Sequence, residues 1–530
     1  MSTWLKKWTP EDNNFWESEG RKTAWKTLWI TTFALIFSFA TWFAMSAIVV
    51  KLPGLGFKYS KDQLFWLAAM PGLAAGFLRI IHTFLLPIYG TRKVVSVSTI
   101  LKLIPVIGIG ILVMNPETPF WLFMIFAFTA GFGGGDFSSF MPSTNLFFPK
   151  RLKGTALGIQ AGIGNFGVSV VQFVTPLIIG VATYGAASQF TSIDTKETIK
   201  LIENMSDSTR TDFFQSLDKD VQIKLLSNTK PKLVDSLKKV LDTDDSGIIL
   251  ASLPKKAQAK AICSVNPKLA SKTLKKIENS DSCVKNKNIY IQSASFWFVP
   301  FLIILAVISW VFLKSIPVTA TFKEQLDIFG NKHTWFCTIT YVMTFGTFAG
   351  LSAAFPLMIK VLYGDFPNAP DPLAFAFYGP LIGASSRVLF GFIADKVGGA
   401  ILTTITGIGI IIGAFLLVNL NLVAPTSLDQ FPMFVGVMLS IFFFTGIGNA
   451  GTFRQYPIIF SENQRQAAGV IGWTAAIAAF GPFIFNSLIG NNIKSSGGAN
   501  SFFYGLLTFA IIATFINWHY YNRKGCEKPS

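Results

Sequence analysis

Two arginines stand inside otherwise apolar stretches, Arg79 in PGLAAGFLRIIHTFLLPIYG and Arg387 in GPLIGASSRVLFGFIADKVGG. An ionisable group at bilayer depth is costly and marks a functional site by default. Each stands eleven residues before a glycine, Gly90 and Gly398 respectively, and neither has an acid near it in sequence. A guanidinium is planar, permanently charged, and presents a fork of donors that fits a planar oxyanion. Two of them converging favour a small anion over a sugar or a cation. The alternative is an arginine that caps neighbouring carbonyls or snorkels to the interface.

Other side chains are placed to complete such a site. Phe137 and Phe453 offer rings that can sandwich a planar ion, and Tyr341 and Phe345, four apart, share one helix face. With 53 phenylalanines in the chain, most must face lipid or neighbouring helices. The Asn165 amide can bond either a ligand or an adjacent helix. Asp136 is the one acid expected inside the membrane, and three roles stay open for it: carrying a coupling proton, pairing with an arginine, or bonding the backbone of a neighbouring helix. His82, one turn beyond Arg79, reads as a packed or pore-lining residue, with proton transfer as its alternative. Lys102 snorkels or pairs, and Arg454 anchors a gate near one end of its helix. The chain shows no metal-ligand spacing and no catalytic constellation, and it has three histidines. No metal, no cofactor and no enzyme activity are expected.

The elements that position these residues are two glycine-rich stretches. Residues 130–176 carry Gly154, Gly158 and Gly162 at intervals of four, so they line one helix face. Stripes of small residues let helix backbones approach closely where packing must hold them together. Residues 445–482 repeat the design: Gly446 and Ala450 parallel Gly131 and Gly135, and Ala468, Gly472 and Ala476 parallel the second stripe. Gly472 is therefore counted with the candidate site.

The whole chain has 530 residues, 51% hydrophobic and 14% charged, with a mean hydropathy of +0.49. Soluble domains carry about 25% charged residues. Runs of roughly 20 apolar residues, each able to span the hydrocarbon core, are expected near 27–50, 63–88, 94–114, 119–147, 155–183 and 291–314, then 334–357, 374–394, 400–420, 431–457, 468–489 and 501–519. The expected fold is an all-α polytopic membrane protein of twelve transmembrane helices in two six-helix halves. Its parts are an N-terminal segment 1–26, helices one to five in 27–185, a polar insert 186–290, and helix six in 291–314. An inter-half linker 315–333, helices seven to twelve in 334–519, and a tail 520–530 follow.

Basic residues set the expected orientation. Arg21, Lys22, Lys26, Arg92, Lys93, Lys150, Arg151, Lys153, Lys396, Arg465, Arg523 and Lys524 fall on the side of the termini, against a sparser Lys51, Lys58, Lys61, Lys360 and Lys494 opposite. The positive-inside rule makes both termini cytoplasmic, in an inner (cytoplasmic) membrane. The net charge of +17 is explained by such loops, so no nucleic-acid partner is expected. The first 22 residues lack the apolar centre of a cleavable signal peptide. The insert would lie outside the cytoplasm, where a small helical cap is expected from its periodicity, with an unknown partner as one role for it. Cys263 and Cys283 within it can pair in an oxidising compartment, closing a loop of about 20 residues, or stay free; both outcomes are open.

The residues resemble a known family. GFIADKVGG resembles the loop motif that the major facilitator superfamily places between helices eight and nine, with a degraded counterpart, IYGTRK, after helix two. AGFGGGDFSS…FFPKRLKGTALG…AGIGNFGVSVVQ and GIGNAGTFRQYP…AAGVIGWTAAIAAFGPF resemble the paired nitrate signatures of the nitrate/nitrite porter family within it. The resemblance covers the chain except residues 186–290. It implies transport of nitrate, nitrite or both by alternating access, with Arg79 and Arg387 gripping the anion. It also implies Phe137 and Phe453 as stacking rings, Tyr341 as the site tyrosine and Asn165 as the helix-five asparagine. The chain departs from the family's pattern at Asp136 and Gln160, where asparagine is usual, and at Trp473, where phenylalanine is frequent. The expectation is a monomer exchanging nitrate for nitrite in the lipid bilayer. Proton–nitrate symport through Asp136 or His82, an anion-sensing receptor, and a facilitator for another small organic anion are the rivals.

Overall fold

A segment in hydrocarbon must satisfy its own backbone polar groups, and this chain does so almost wholly with helices. The computed structural model describes residues 4–182, 184–229, 231–316 and 323–530; part of the expected linker 315–333 lies outside the described residues. Among the described residues, twelve helices are long and apolar enough to cross a membrane. The first six are α1 (Asn13–Ile48), α2 (Lys61–Leu86), α3 (Ile88–Leu112), α4 (Phe120–Phe147), α5 (Arg151–Ile178) and α6 (Ser293–Phe312). The second six are α7 (Lys332–Tyr363), α8 (Pro372–Val397), α9 (Gly399–Asn419), α10 (Leu428–Ile459), α11 (Gly469–Ser496) and α12 (Asn500–Asn522). Each corresponds to one expected span.

Local chemistry fixes the ends. Ser60 and Gln63 form a capping box at the start of α2, Asn331 caps α7, and Asp371 caps α8 just before Pro372. Gly90 and Gly398, at the α2–α3 and α8–α9 turns, have φ of 75° and 98°, a region that residues with a Cβ avoid. They are the two glycines eleven residues beyond the arginines, so the chain turns at matching distances from Arg79 and Arg387.

Helices α4, α7 and α11 are among those interrupted. In α4 a break at Asp136 separates Phe132–Gly135 from Phe137–Phe147. In α11 the stretch Gln464–Ala478 gives way to Gly481–Ser496, and α7 has a π-helical turn at Val342–Gly346. Broken helices at membrane depth are tolerated where they line a site within the protein. Glycines make the close approaches: a Cβ on Gly133 would strike the Ser38 carbonyl of α1, and one on Gly446 would strike Ser386 and the Gly383 carbonyl of α8.

The insert folds around a core of its own, with Ile202, Phe214, Leu225, Leu250, Ile262 and Leu274 all fully buried. Short helices from Thr195 to Leu274 are capped by Asp194, Ser206, Asp245 and Asn266, as the expected helical cap requires. A two-stranded antiparallel sheet, not expected from the sequence, closes its base: β1 (Ser188–Ile193) pairs with β2 (Val284–Ile289), Ser188 opposite Ile289. The Lys285 ammonium, bonded to Asp194, holds that carboxyl below its ordinary value. Cys263 and Cys283 are free thiols, so the disulfide that their spacing left open is not formed. Both bond to Thr198 instead. Burial pushes the Cys263 thiol up to about 12, which keeps it protonated and unreactive.

The two halves close on each other at the insert-bearing end. Lys51 pairs with Asp371 at 3.1 Å, Lys61 with Asp365 at 3.4 Å and Lys494 with Asp62 at 3.1 Å, all between halves. Deeper in, Gln172 of α5 donates to the Ser352 carbonyl of α7 at 2.9 Å, and Gly72 of α2 lies against Pro482 and Phe483 of α11. Toward the end that carries the termini the fit loosens. A Cβ on Gly162 would meet Val388 of α8, but one on Gly158, a turn further along the same face, would meet nothing within 4 Å. The α5–α8 seam therefore splays at that end.

Candidate functional site

Both arginines are buried, Arg79 at 0% and Arg387 at 4% exposure. The broken helices hold Arg79 by backbone carbonyls. Its Nε donates to Gly134 O, in the short segment of α4 just before the break, at 2.7 Å, and its Nη1 donates to Ala475 O of α11, also at 2.7 Å. One arginine of the first half is thus tied across the seam to the second half. Its third nitrogen, Nη2, is buried without a hydrogen-bond partner, and so are Nη1 and Nη2 of Arg387. Buried polar groups are normally paired, and a buried charged donor without a protein partner is the costliest kind. Neither arginine snorkels, but Arg79 does cap neighbouring carbonyls with two of its three nitrogens, the other alternative the sequence left open.

Aromatic rings brace the guanidiniums. Arg79 Cζ lies 4.8 Å from the centre of the Phe137 ring, 5.1 Å from Phe345 and 5.1 Å from Trp42. Arg387 lies 4.7 Å over Phe453. Tyr341 and Phe345 stack at 5.4 Å, and the Tyr341 hydroxyl lies beside Arg387 with no partner that meets hydrogen-bond geometry. Phe137 and Phe453 meet edge to face at 6.2 Å and 90°. The structure thus differs from the expected sandwich: each ring stacks on an arginine and the two do not face each other across a slot. A ring over a guanidinium leaves its in-plane N–H donors free, while its face stays covered.

Asn165 is fully buried with both amide atoms unpartnered, so the helix–helix hydrogen bond that was its alternative is not made. Gly472 packs against Thr83, whose hydroxyl donates to Arg79 O at 2.8 Å. It supports the Arg79 helix and is not brought to the guanidinium. Arg454 pairs with Asp395 at 2.8 Å within the second half.

Asp136 is not paired with an arginine. It forms a fully buried ion pair with Lys102 of α3 and accepts from Ser38 of α1 at 2.5 Å. The lysine wins because its long arm crosses from α3 to the break in α4, while the Arg79 guanidinium is drawn to the Gly134 and Ala475 carbonyls. His82 joins the same cluster, with Nδ1 3.1 Å from Ser139 Oγ and 3.9 Å from Asp136 Oδ1. Sequence reasoning missed Trp42 and the Lys102 partnership. Both arise between helices, and the one available signal was that Lys102 and Asp136 are opposite charges in neighbouring apolar runs.

Comparison with known proteins meets this geometry. The chain is 48% identical to the probable nitrate/nitrite antiporter NarK2 of Thermus thermophilus, over 99% of this chain and 98% of that protein. The chain belongs to the nitrate/nitrite porter family of the major facilitator superfamily. A second relative, the nitrate/nitrite transporter NarU of Escherichia coli (strain K12), is 29% identical over 98% of this chain and 96% of its own length. Among solved structures, a bacterial homologue of the lysosomal transporter Spinster aligns with a TM-score of 0.50 at 12% identity, covering 94% of this chain and 97% of that one. The E. coli fucose:proton symporter FucP aligns with a TM-score of 0.50 at 12% identity, covering 92% and 97%. These two show the superfamily fold. Within the porter, residues 183–278 match the model of a different family, the MgtE intracellular N domain; this is the insert.

Proposed function

We propose that the protein is a nitrate/nitrite transporter and not an enzyme, and that it works by alternating access as a nitrate/nitrite antiporter. The observation that carries this reading is the set of three bare guanidinium nitrogens, on Arg79 and Arg387, one arginine in each half. A trigonal oxyanion accepts in the plane of such forks. The unpartnered Tyr341 hydroxyl and Asn165 amide supply further donors for its remaining lone pairs. Phe137, Phe345, Phe453 and Trp42 would exclude water and fix the guanidinium planes, and Gly472 would act through helix packing. Relatives named as nitrate/nitrite transporters support the choice of anion.

Exchange follows from electrostatics. Two like charges held in one buried site repel, and the repulsion grows as water is excluded. An empty carrier resists closing around them, and a bound anion removes much of that cost, so the halves rock only when loaded. Asp136 already has the Lys102 ammonium as its counter-charge, which supports a cycle without a titrating group. In this reading both termini are cytoplasmic, the insert is extracytoplasmic, and the protein works as a monomer in the inner membrane.

The test is nitrate uptake into proteoliposomes that are nitrite-loaded or empty, with and without an inward proton gradient. Uptake only into nitrite-loaded vesicles, indifferent to pH, is expected. Uptake into empty vesicles driven by the proton gradient would overturn antiport in favour of symport.

A further inference from the structure

The Lys102–Asp136 pair lies within the transporter's N-terminal half but touches no substrate donor directly, and antiport assigns it no task. The two side chains are fully buried. Asp136 faces Lys102 from α3, Ser38 from α1, and His82 and Arg79 from α2. Its second oxygen, Oδ1, is buried with no hydrogen-bond partner and has His82 Nδ1 3.9 Å away. Two residues before Asp136, in the short segment that ends at the break of α4, is Gly134, whose carbonyl holds Arg79.

We propose that Lys102 sets the coupling mode: by neutralising Asp136 it keeps the protein an exchanger, and without it the same carboxylate would make the protein a proton–anion symporter. The inference rests on the antiport reading and extends it. With Lys102 in place, the pair sums to zero, so the empty site holds the two arginine charges and the loaded site holds one. The empty form is the one that resists occlusion, and only loaded forms interconvert. With Lys102 replaced by a neutral residue, an ionised Asp136 leaves the empty site at one net positive charge. That equals the charge of the loaded natural site, so the empty carrier can close and return.

The proton balance then follows. When an anion binds, the site keeps that same charge if Asp136 takes one proton from the water on that side, forming an O–H bond at a carboxylate oxygen. On the other side the anion leaves, the O–H bond breaks, and the proton goes to water. One proton moves with each anion, and no other reactant is needed. His82, 8% exposed, lies on the Oδ1 side of the carboxylate and is the group nearest to relay that proton.

The experiment compares wild type, Lys102→Met and the double variant Lys102→Met/Asp136→Asn in proteoliposomes, with and without internal nitrite and an inward proton gradient. Lys102→Met should take nitrate into empty vesicles and accumulate it about tenfold per unit of pH gradient, the equilibrium for one proton per anion. The double variant should return to nitrite-dependent, pH-indifferent exchange. Lys102→Met behaving as a pH-indifferent exchanger overturns the proposal, as does a proton dependence that survives in the double variant. The wild-type arm tests antiport separately. If wild type itself symports, the antiport reading fails, and the unchanged Lys102→Met arm would show that Lys102 is not the switch. Should Lys102→Met fail to fold, nitrate binding to purified Lys102→Gln is measured between about pH 8 and pH 5. Affinity rising toward acid, against a flat wild-type profile, supports the proposal; a flat profile in both overturns it.

Discussion

A buried guanidinium arm needs an acceptor to offset its burial, and the protein supplies none to the three unpartnered nitrogens of Arg79 and Arg387. Lysine at the same place keeps the charge but not the fork. Arg387→Lys should therefore weaken nitrate binding by roughly tenfold to a hundredfold, since charge-assisted hydrogen bonds contribute on the order of 1.5–3 kcal/mol each. Titration calorimetry on purified protein checks this, and an affinity within about twofold of wild type would remove Arg387 from the site. The two arginines were legible in the sequence because a charge in an apolar run stands out against its neighbours. Trp42 was not, because nothing around it in α1 reports that Arg79 lies 5.1 Å away on another helix. The partner of Asp136 was not legible for the same reason: the charged partner the sequence pointed to was an arginine, and only packing between helices brought Lys102 to the carboxylate instead.

At the scale of elements, periodicity and glycine spacing carried most of the information. All twelve spans were readable because each must satisfy its own backbone in hydrocarbon, and the turns at Gly90 and Gly398 followed from matched glycines. What periodicity could not give was where helices break, because the cost of a break at Asp136 is offset by Lys102, Ser38 and Arg79, which come from other helices. Nor could it give which glycines touch something. On α5, Gly162 abuts Val388 while Gly158 is exposed. If the halves rock, the splayed end of this seam is the part that must close, and Gly158 would then meet α8 as Gly162 already does. Gly158→Leu has room here, so it should leave folding and detergent-solubilised size unchanged while stopping transport. Overpacking a site that must close costs roughly 1–3 kcal/mol, enough to hold the carrier in the present conformer. Transport by Gly158→Leu at wild-type rate would mean that the α5–α8 seam does not close at this end.

At the scale of the whole molecule, a separately cored insert sits between α5 and α6. The insert rests on the first half through Phe190, packed on Gly54, and through Asn266, which donates to Phe57 O at 2.5 Å. It reaches the second half through Lys260, whose ammonium lies 4.9 Å over the Phe366 ring. It therefore straddles the seam at the end where Lys51, Lys61 and Lys494 already pair between halves. Exposed ion pairs of that kind contribute about 0–1 kcal/mol each, so a cation–π contact of ~0.5–2 kcal/mol is comparable to any of them and adds a bias toward closure. Because Ser188 and Ile289 are paired neighbours, residues 189–288 can be replaced by a short glycine–serine linker without stretching α5 from α6. The shortened protein should still exchange anions, since its arginines, breaks and seam are untouched, but it should open more often at the insert-bearing end. A cysteine at Ser352, fully buried at the seam, reads that opening through its labelling rate with a membrane-impermeant thiol reagent. A rise of roughly twofold to thirtyfold corresponds to losing ~0.5–2 kcal/mol of closure. An unchanged rate would mean that the insert rides on the first half alone and leaves the gate to the ion pairs. Loss of exchange in the shortened protein would mean that the insert is part of the carrier itself.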